Sequence, residues 1–394
     1  MTDFKCKGFL AGGIHSGLKS DGEPDLGLIF SKTPATVAGV FTQNQIKAAP
    51  VLIDQQRIQN GVARAIIANS GNANCCNGKQ GYQHALEMAA TAAEILEITE
   101  QDVLVSSTGV IGEPLPIHKI KAAVPDLHHA LHSEGFNAFA RAIMTTDTVP
   151  KIEHRQGSID GQSYNLLAIA KGSGMIAPNM ATMLCYICTD IAISHQLLQS
   201  ALDSAVDLTL NRICIDGDTS TNDTTLVLAN GCSHLSITNQ DQVAEFQRLL
   251  QDLLSGLAKK LVKDGEGVTK CVDIKVIRAA SDADARHIAK TVATSPLVKT
   301  ALFGMDANWG RIIAAVGRAG THIDPDGIDI YFNEVQMTQK SIGCGPEAEE
   351  RVSQVLRKPE FIITIDLNLA DGNASILTCD FSIDYVKINA DYRS

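Results

Sequence analysis

The stretch Lys171-Gly172-Ser173-Gly174-Met175-Ile176-Ala177-Pro178-Asn179-Met180-Ala181-Thr182-Met183-Leu184 decides the reading of this chain. A loop rich in Gly and Pro runs into a small residue, a threonine and then an apolar run over 183–187. That order suits a peptide bond that the chain cuts itself. Gly172 and Gly174 permit backbone conformations closed to other residues. Pro178 fixes φ and keeps Ala177 extended. Ala181 is small, so a hydroxyl can reach its carbonyl. Attack by the Thr182 hydroxyl gives an ester, and hydrolysis of that ester leaves Thr182 as a new N-terminus. Its α-amine, with an ordinary pKa of about 7.7–8.0, then serves as base for its own hydroxyl. The apolar run reads as a buried strand that holds the new terminus. By spacing alone the same segment also describes a loop entering a core strand that begins Ala-Thr, the commoner case for so short a motif.

Acyl transfer to a threonine needs hydrogen-bond donors where the tetrahedral oxygen forms. Thr108-Gly109, at the end of Ser106-Ser107-Thr108-Gly109, is the best candidate. A glycine lets its N–H approach a ligand closely, and the threonine hydroxyl is a second donor. An ordinary turn has the same composition. Lys171, eleven residues before Thr182, reads as the partner of a substrate carboxylate or as a solvated loop lysine. Glu266, between two glycines, reads as the partner of a substrate amine or as a turn residue after a long helix.

Further motifs run through the chain. They are Asn69-Ser70-Gly71-Asn72-Ala73-Asn74, Ser107-Thr108-Gly109-Val110-Ile111-Gly112, Met144-Thr145-Thr146-Asp147-Thr148 and Asp216-Gly217-Asp218-Thr219-Ser220-Thr221-Asn222-Asp223-Thr224. Later come Lys263-Asp264-Gly265-Glu266-Gly267, Asn308-Trp309-Gly310-Arg311-Ile312 and Ile388-Asn389-Ala390-Asp391-Tyr392-Arg393-Ser394. With the cleavage segment they resemble the glutamate N-acetyltransferase family, the ornithine acetyltransferases of arginine biosynthesis, over nearly the whole chain. The resemblance implies a cut between Ala181 and Thr182, giving an α fragment, 1–181, and a β fragment, 182–394. It implies Thr182 as nucleophile and Thr108 with Gly109 as oxyanion hole. It implies substrate contacts from Thr145, Lys171, Thr182, Glu266, Asn389 and Ser394. A threonine of the 144–148 motif takes part; Thr145 is chosen over Thr146 and Thr148. The family's last residue is more often Thr than Ser, and Ser394 keeps the hydroxyl.

The fold implied by the resemblance is an αββα layered core with a smaller C-terminal α/β region over about 280–394. Mixed strands and helices without a strict βαβ rhythm point independently to an α+β sandwich. The reaction implied is a ping-pong transfer of acetyl from N-acetylornithine to glutamate, with no cofactor. Some members also take acetyl from acetyl-CoA, and the residues do not separate the two forms. The α and β fragments would remain together as a heterotetramer of two of each. The rival reading is an N-terminal-threonine amidohydrolase or aminopeptidase whose acyl-enzyme is resolved by water. Lys171 with Glu266 favours an amino-acid acceptor over water.

Composition narrows the field. The net charge of −11 argues against a nucleic-acid partner. No apolar run reaches the ~18 residues of a membrane helix, and residues 9–14 make a poor signal peptide. A soluble, cytoplasmic protein, or one in a reducing organelle matrix, is expected. Ten cysteines are scattered, with Cys75-Cys76 and Cys185/Cys188 as the close groupings, and they complete no zinc pattern. His128-His129 with His132 reads as a helix surface. The acidic motif over 216–223 lacks the glycine and terminal glutamate of a calcium loop and reads as Asx and Ser/Thr turns. No metal is expected. Nucleotide-binding glycine fingerprints are missing from the sequence.

Periodicity places strands at 26–30, 37–42, 63–69, 164–170, 271–279, 328–333 and 361–367. It places helices at 80–96, 117–123, 135–144, 242–262, 282–295 and 346–356, and another from a Ser194 cap to about 211.

Overall fold

The computed structural model describes residues 4–177 and 183–391, which form two compact units. In chain order the first unit holds β1 (Phe9–Ile14), β2 (Leu26–Phe41), α1 (Ala49–Arg57), β3 (Val62–Asn69), α2 (Gly78–Leu96), β4 (Val103–Ser107), α3 (Ile117–His129) and α4 (Phe136–Ala142). It continues with β5 (Lys151–Ile159), β6 (Gln162–Lys171), β7 (Leu184–Thr189) and α5 (His195–Leu208). After β8 (Ile213–Cys214), which joins the second unit, come β9 (Thr224–Ala229) and α6 (Gln240–Lys263). The second unit adds β10 (Cys271–Ala279), α7 (Asp282–Ala293), α8 (Pro296–Phe303), α9 (Trp309–Gly317), β11 (Asp329–Phe332), β12 (Val335–Gln339) and β13 (Ile342–Gly343). It ends with α10 (Pro346–Leu356), β14 (Glu360–Asp366), β15 (Gly372–Cys379) and α11 (Ile383–Ala390).

The first unit is one mixed sheet in the order β4-β3-β2-β9-β7-β6-β5, with β1 paired to β2. One face carries a continuous apolar core that includes Ile29, Ile66, Leu104, Tyr186 and Leu226, capped by Phe136 and Phe139 of α4. The opposite face of the β4-β3-β2 end is covered by α1, α2 and α3 through Met88, Ala92, Ile120 and Val124. At the other end α6 lies against β5, where Gly256 and Lys260 meet Glu153. Strands buried on both faces read as unbroken apolar runs rather than alternating ones. β7 and β9 are buried at every position. This is the layered α/β fold expected.

The second unit is a sheet in the order β13-β12-β11-β14-β10-β15-β8. Its core gathers Ile274, Val276, Ile288, Val292, Ile363 and Ile376. Ser281 caps α7 by accepting from the Asp284 N–H at 3.1 Å, as its sequence position predicts.

The compact units divide the chain differently from a cut before Thr182. The second unit takes in the chain from Val262 onward, together with Arg212–Gly217. β6 and β7, which flank the cleavage segment, are antiparallel neighbours, with Lys171 opposite Leu184 and Leu166 opposite Thr189. The two strands expected at 26–30 and 37–42 are one long β2, with an irregularity in its pairing between Phe30 and Ala35. Ser194 stands at the N-cap of α5 but makes no side-chain cap bond.

Candidate active site

Thr108 and Gly109 follow β4 and are fixed by the neighbouring β3 end. Asn69 pairs with Ser107 in the parallel β3/β4 ladder. The Ser107 hydroxyl donates to Asn69 Oδ1 at 2.6 Å, and the Thr108 N–H donates to the Asn69 carbonyl at 3.0 Å. Gly109 has φ +131°, and a Cβ there would lie 2.4 Å from the Gly71 carbonyl carbon and 2.5 Å from the Asn72 nitrogen. Only glycine fits that conformation at that distance. From the far side Asn222 ties the loop down. Its amide donates to the Ala73 carbonyl at 2.6 Å and to the Ser107 carbonyl at 2.8 Å. The 69–74 and 216–224 motifs thus meet in building the Thr108-Gly109 loop.

Lys171 ends β6 and is buried at 5% exposure. Its Nζ donates to Thr145 Oγ1 at 2.7 Å and to Thr108 Oγ1 at 3.3 Å. Three residues singled out in the sequence therefore converge, and Thr145 is the threonine of its motif that meets Lys171 here. An ammonium can only donate, so both threonine oxygens accept from it. The one hydroxyl hydrogen of Thr108 is left to point at another acceptor.

Asp147 holds this arrangement in place. Its Oδ1 accepts from Lys151 Nζ at 2.6 Å and from the Gly172 N–H at 2.7 Å. Its Oδ2 accepts from the Thr145 N–H at 3.0 Å and lies 4.0 Å from Lys171 Nζ. The Asp147 and Lys151 side chains have no solvent exposure. Burial alone would raise the Asp147 carboxyl. The charges of Lys171 and Lys151, with the bonds from Lys151 and Gly172, outweigh it and bring the carboxyl down to about 2. Lys151 and Lys171 both face this one carboxylate.

Met183 leads into β7, and its N–H donates to Asp223 Oδ1 at 3.0 Å. Asp223 precedes β9 and is 1% exposed. Burial pushes this carboxyl well above the ordinary carboxylate range, although the Met183 N–H, the Lys171 charge and the Thr42 hydroxyl pull the other way.

In the second unit Glu266 follows α6 and is 7% exposed. The amide of Asn389, on α11, donates to Glu266 Oε2 at 2.7 Å. Gly267, at φ +66°, allows this approach, since a Cβ there would lie 2.5 Å from the Tyr385 nitrogen. Asn308 is the N-cap of α9, accepting from the Arg311 N–H, and Trp309 packs on the second core. That motif is structural here.

Ala181, Thr182 and Ser394 lie outside the described residues. Sequence reasoning missed Asp147, Lys151, Asn222 and Asp223 as site residues. Three of them stand inside motifs it quoted. Lys151 carries no signal, because a lone lysine defaults to the surface.

A model of the ArgJ family matches residues 10–394. Arginine biosynthesis bifunctional protein ArgJ of Geobacter sulfurreducens is 49% identical over 390 residues, covering 98% of this chain and 99% of its own. The protein of that name from Syntrophotalea carbinolica is 49% identical over 392 residues, 99% of this chain and all of its own. A crystal structure of arginine biosynthesis bifunctional protein ArgJ from Bacillus halodurans is 39% identical, with a TM-score of 0.50, over 52% of this chain and 97% of that chain. With a match that runs through both compact units and relatives nearly half identical along their whole length, this chain belongs to the ArgJ family.

Proposed function

We propose that the chain cuts itself between Ala181 and Thr182 and then moves an acetyl group from N-acetylornithine to glutamate through an acetyl-Thr182 intermediate. Membership of the ArgJ family makes it an acetyl-transferring enzyme of arginine biosynthesis acting on small molecules. The roles of individual residues are the proposal. The observation that carries them is the convergence of Thr108, Thr145 and Lys171, with the Thr108 hydroxyl hydrogen left to donate.

Thr182 Oγ attacks the acetyl carbonyl of N-acetylornithine while its α-amine takes the hydroxyl proton. The oxyanion rests on the Thr108 hydroxyl and the Gly109 N–H. Collapse expels ornithine, whose nitrogen takes the proton back from the α-amine. The glutamate amine then attacks the acetyl ester, its proton passes by way of the Thr182 α-amine to Oγ, the acetyl C–Oγ bond breaks, and N-acetylglutamate leaves. Lys171 draws a substrate carboxylate. Glu266 and Asn389 bind the substrate's amino-acid end, as does Ser394. Acetyl-CoA would enter as a second donor at the same threonine. After the cut, the β6/β7 ladder would keep the α and β fragments together, and two such pairs would form the heterotetramer.

The amidohydrolase reading is not favoured by the relatives, which are biosynthetic proteins. Product analysis with N-acetylornithine, with and without glutamate, tests the transfer. N-acetylglutamate formed in step with ornithine is expected. Free acetate released at one rate in both mixtures would sink it.

A further inference from the structure

Cys75 and Cys76 are neighbours in the chain, and the proposed chemistry uses neither. Their Sγ atoms lie 3.7 Å apart. Cys75 is fully buried and Cys76 is exposed. Cys76 holds φ +62°, a left-handed backbone that a residue with a Cβ rarely adopts and that persists where the surroundings over-determine it. With Ile46, Leu52, Asn74, Asn77 and Tyr82 it lines a cavity of about 370 Å³. A small oxidant therefore meets Cys76 first. Burial pushes the Cys75 thiol up, which suits it to answer an oxidised neighbour rather than to meet the oxidant itself.

The pair is wired to the Thr108-Gly109 loop. The Cys75 carbonyl belongs to the peptide unit that joins the two cysteines, and it accepts from the Gly112 N–H at 3.1 Å. Just before it, the Ala73 N–H donates to the Val110 carbonyl at 3.0 Å, and the Ala73 carbonyl accepts from the Asn222 amide at 2.6 Å. The same amide holds the Ser107 carbonyl at 2.8 Å. Gly109 has no room to follow a shift of this chain, because a Cβ there would already lie 2.4 Å from Gly71. A disulfide needs its sulfurs about 2.05 Å apart, so closing this pair turns the peptide unit between the cysteines. That turn works against the bond to Gly112 and, through Ala73, against the amide that holds Ser107 beside Thr108.

We propose that Cys75 and Cys76 form a redox modification site, which a hydroperoxide closes into a disulfide that disables the Thr108-Gly109 loop. Its effect on turnover rests on the reading of that loop as the oxyanion hole. With hydrogen peroxide, the Cys76 sulfur attacks one peroxide oxygen and the O–O bond breaks, giving the Cys76 sulfenic acid and water. The Cys75 sulfur then attacks Cys76 Sγ. The S–O bond breaks, and the hydroxyl leaves with the Cys75 proton as a second water. Two thiols are oxidised and one peroxide is reduced. Dithiothreitol reverses the closure by thiol–disulfide exchange and is itself oxidised to a disulfide.

The test treats the native, reduced protein with hydrogen peroxide, then reads glutamate acetylation and, after free thiols are alkylated, the mass of the tryptic stretch 65–79. That stretch runs from after Arg64 through Lys79 and holds both cysteines and no other. In treated wild type it is expected to take no label and to lack two hydrogens. The acetylation rate should fall by about 10²-fold, as on loss of an oxyanion donor, and return with dithiothreitol. Cys76→Ser, at an exposed position, should keep the rate of reduced wild type through the same treatment. Cys75→Ser should stop at the Cys76 sulfenic acid, one oxygen heavier. A treated wild type whose 65–79 stretch still takes two labels, or gains oxygen in place of losing two hydrogens, would overturn the proposal. So would a closed disulfide at full rate, or a Cys76→Ser rate that falls as far as the wild type's. Reduced wild type with no transfer at all would instead remove the reading of the loop, and the mass of 65–79 would still decide the disulfide.

Discussion

The Lys171 site of the first unit and the Glu266–Asn389 pair of the second are built to different standards. Around Lys171, one carboxylate fixes two lysines, the Thr145 N–H and the Gly172 N–H, all in a buried setting. Glu266 is buried too, but its partner Asn389 reaches it from α11, a helix with no buried residue. The first site carries the desolvation cost of three charges, and such a cluster persists only when its geometry is good. The second is one side-chain bond from α11. Preorganised donors belong where charge develops in a transition state. A grip on the substrate can be looser. Under the proposed function, turnover belongs to the first region and substrate affinity to the second.

The largest effect belongs to Thr182→Ala, which should remove both the cut and the transfer, lowering activity by at least about 10³-fold. Mass spectrometry and a glutamate acetylation assay check it. Asp147→Asn comes next. It removes the buried carboxylate that Lys151 and Lys171 both face, so the melt should show a loss of about 3–5 kcal/mol, with kcat reduced in whatever folds. Asn389→Ala should raise KM by roughly 10-fold while kcat and the melting temperature hold, in keeping with the loss of one hydrogen bond to a charged group. A drop in kcat there would erase the distinction between the two regions.

A further effect is in pH. The folded Asp147 carboxyl, at about 2, lies below its unfolded value of about 3.9. Its contribution is therefore complete above the unfolded value and is lost as pH falls toward 2, amounting to about 2 kcal/mol. Asp223 is raised, so its sign is opposite: its contribution is present below the unfolded value and fades as pH rises through the folded one. Stability curves of Asp147→Asn and Asp223→Asn against wild type should diverge in opposite directions with pH, as read by denaturant melts. Parallel curves would mean that the two carboxyls share one environment.

Much of this was legible in the sequence where local pattern and burial agree. β10 at Cys271–Ala279 and α10 at Pro346–Leu356 match their periodicity to the residue. The Thr108-Gly109 loop was legible because only glycine serves there. β5 was not, because Lys151–Ile159 carries Lys, Glu, His, Arg and Gln where a strand is usually apolar. Its Lys151 is buried by a partner four residues earlier, outside any helix, where helical spacing offers no guide. Asp223 was read with its neighbours as turn chemistry. Its distinguishing feature, a buried carboxyl beside Met183, depends on β7 and β9 lying in register, which no local pattern states.

The measurement that tests self-processing most directly is the intact mass of the purified, denatured protein. Two fragments meeting between Ala181 and Thr182 are predicted, with Thr182 as the first residue of the second. A single full-length mass, unchanged after long incubation of protein that still acetylates glutamate, would contradict the N-terminal threonine mechanism.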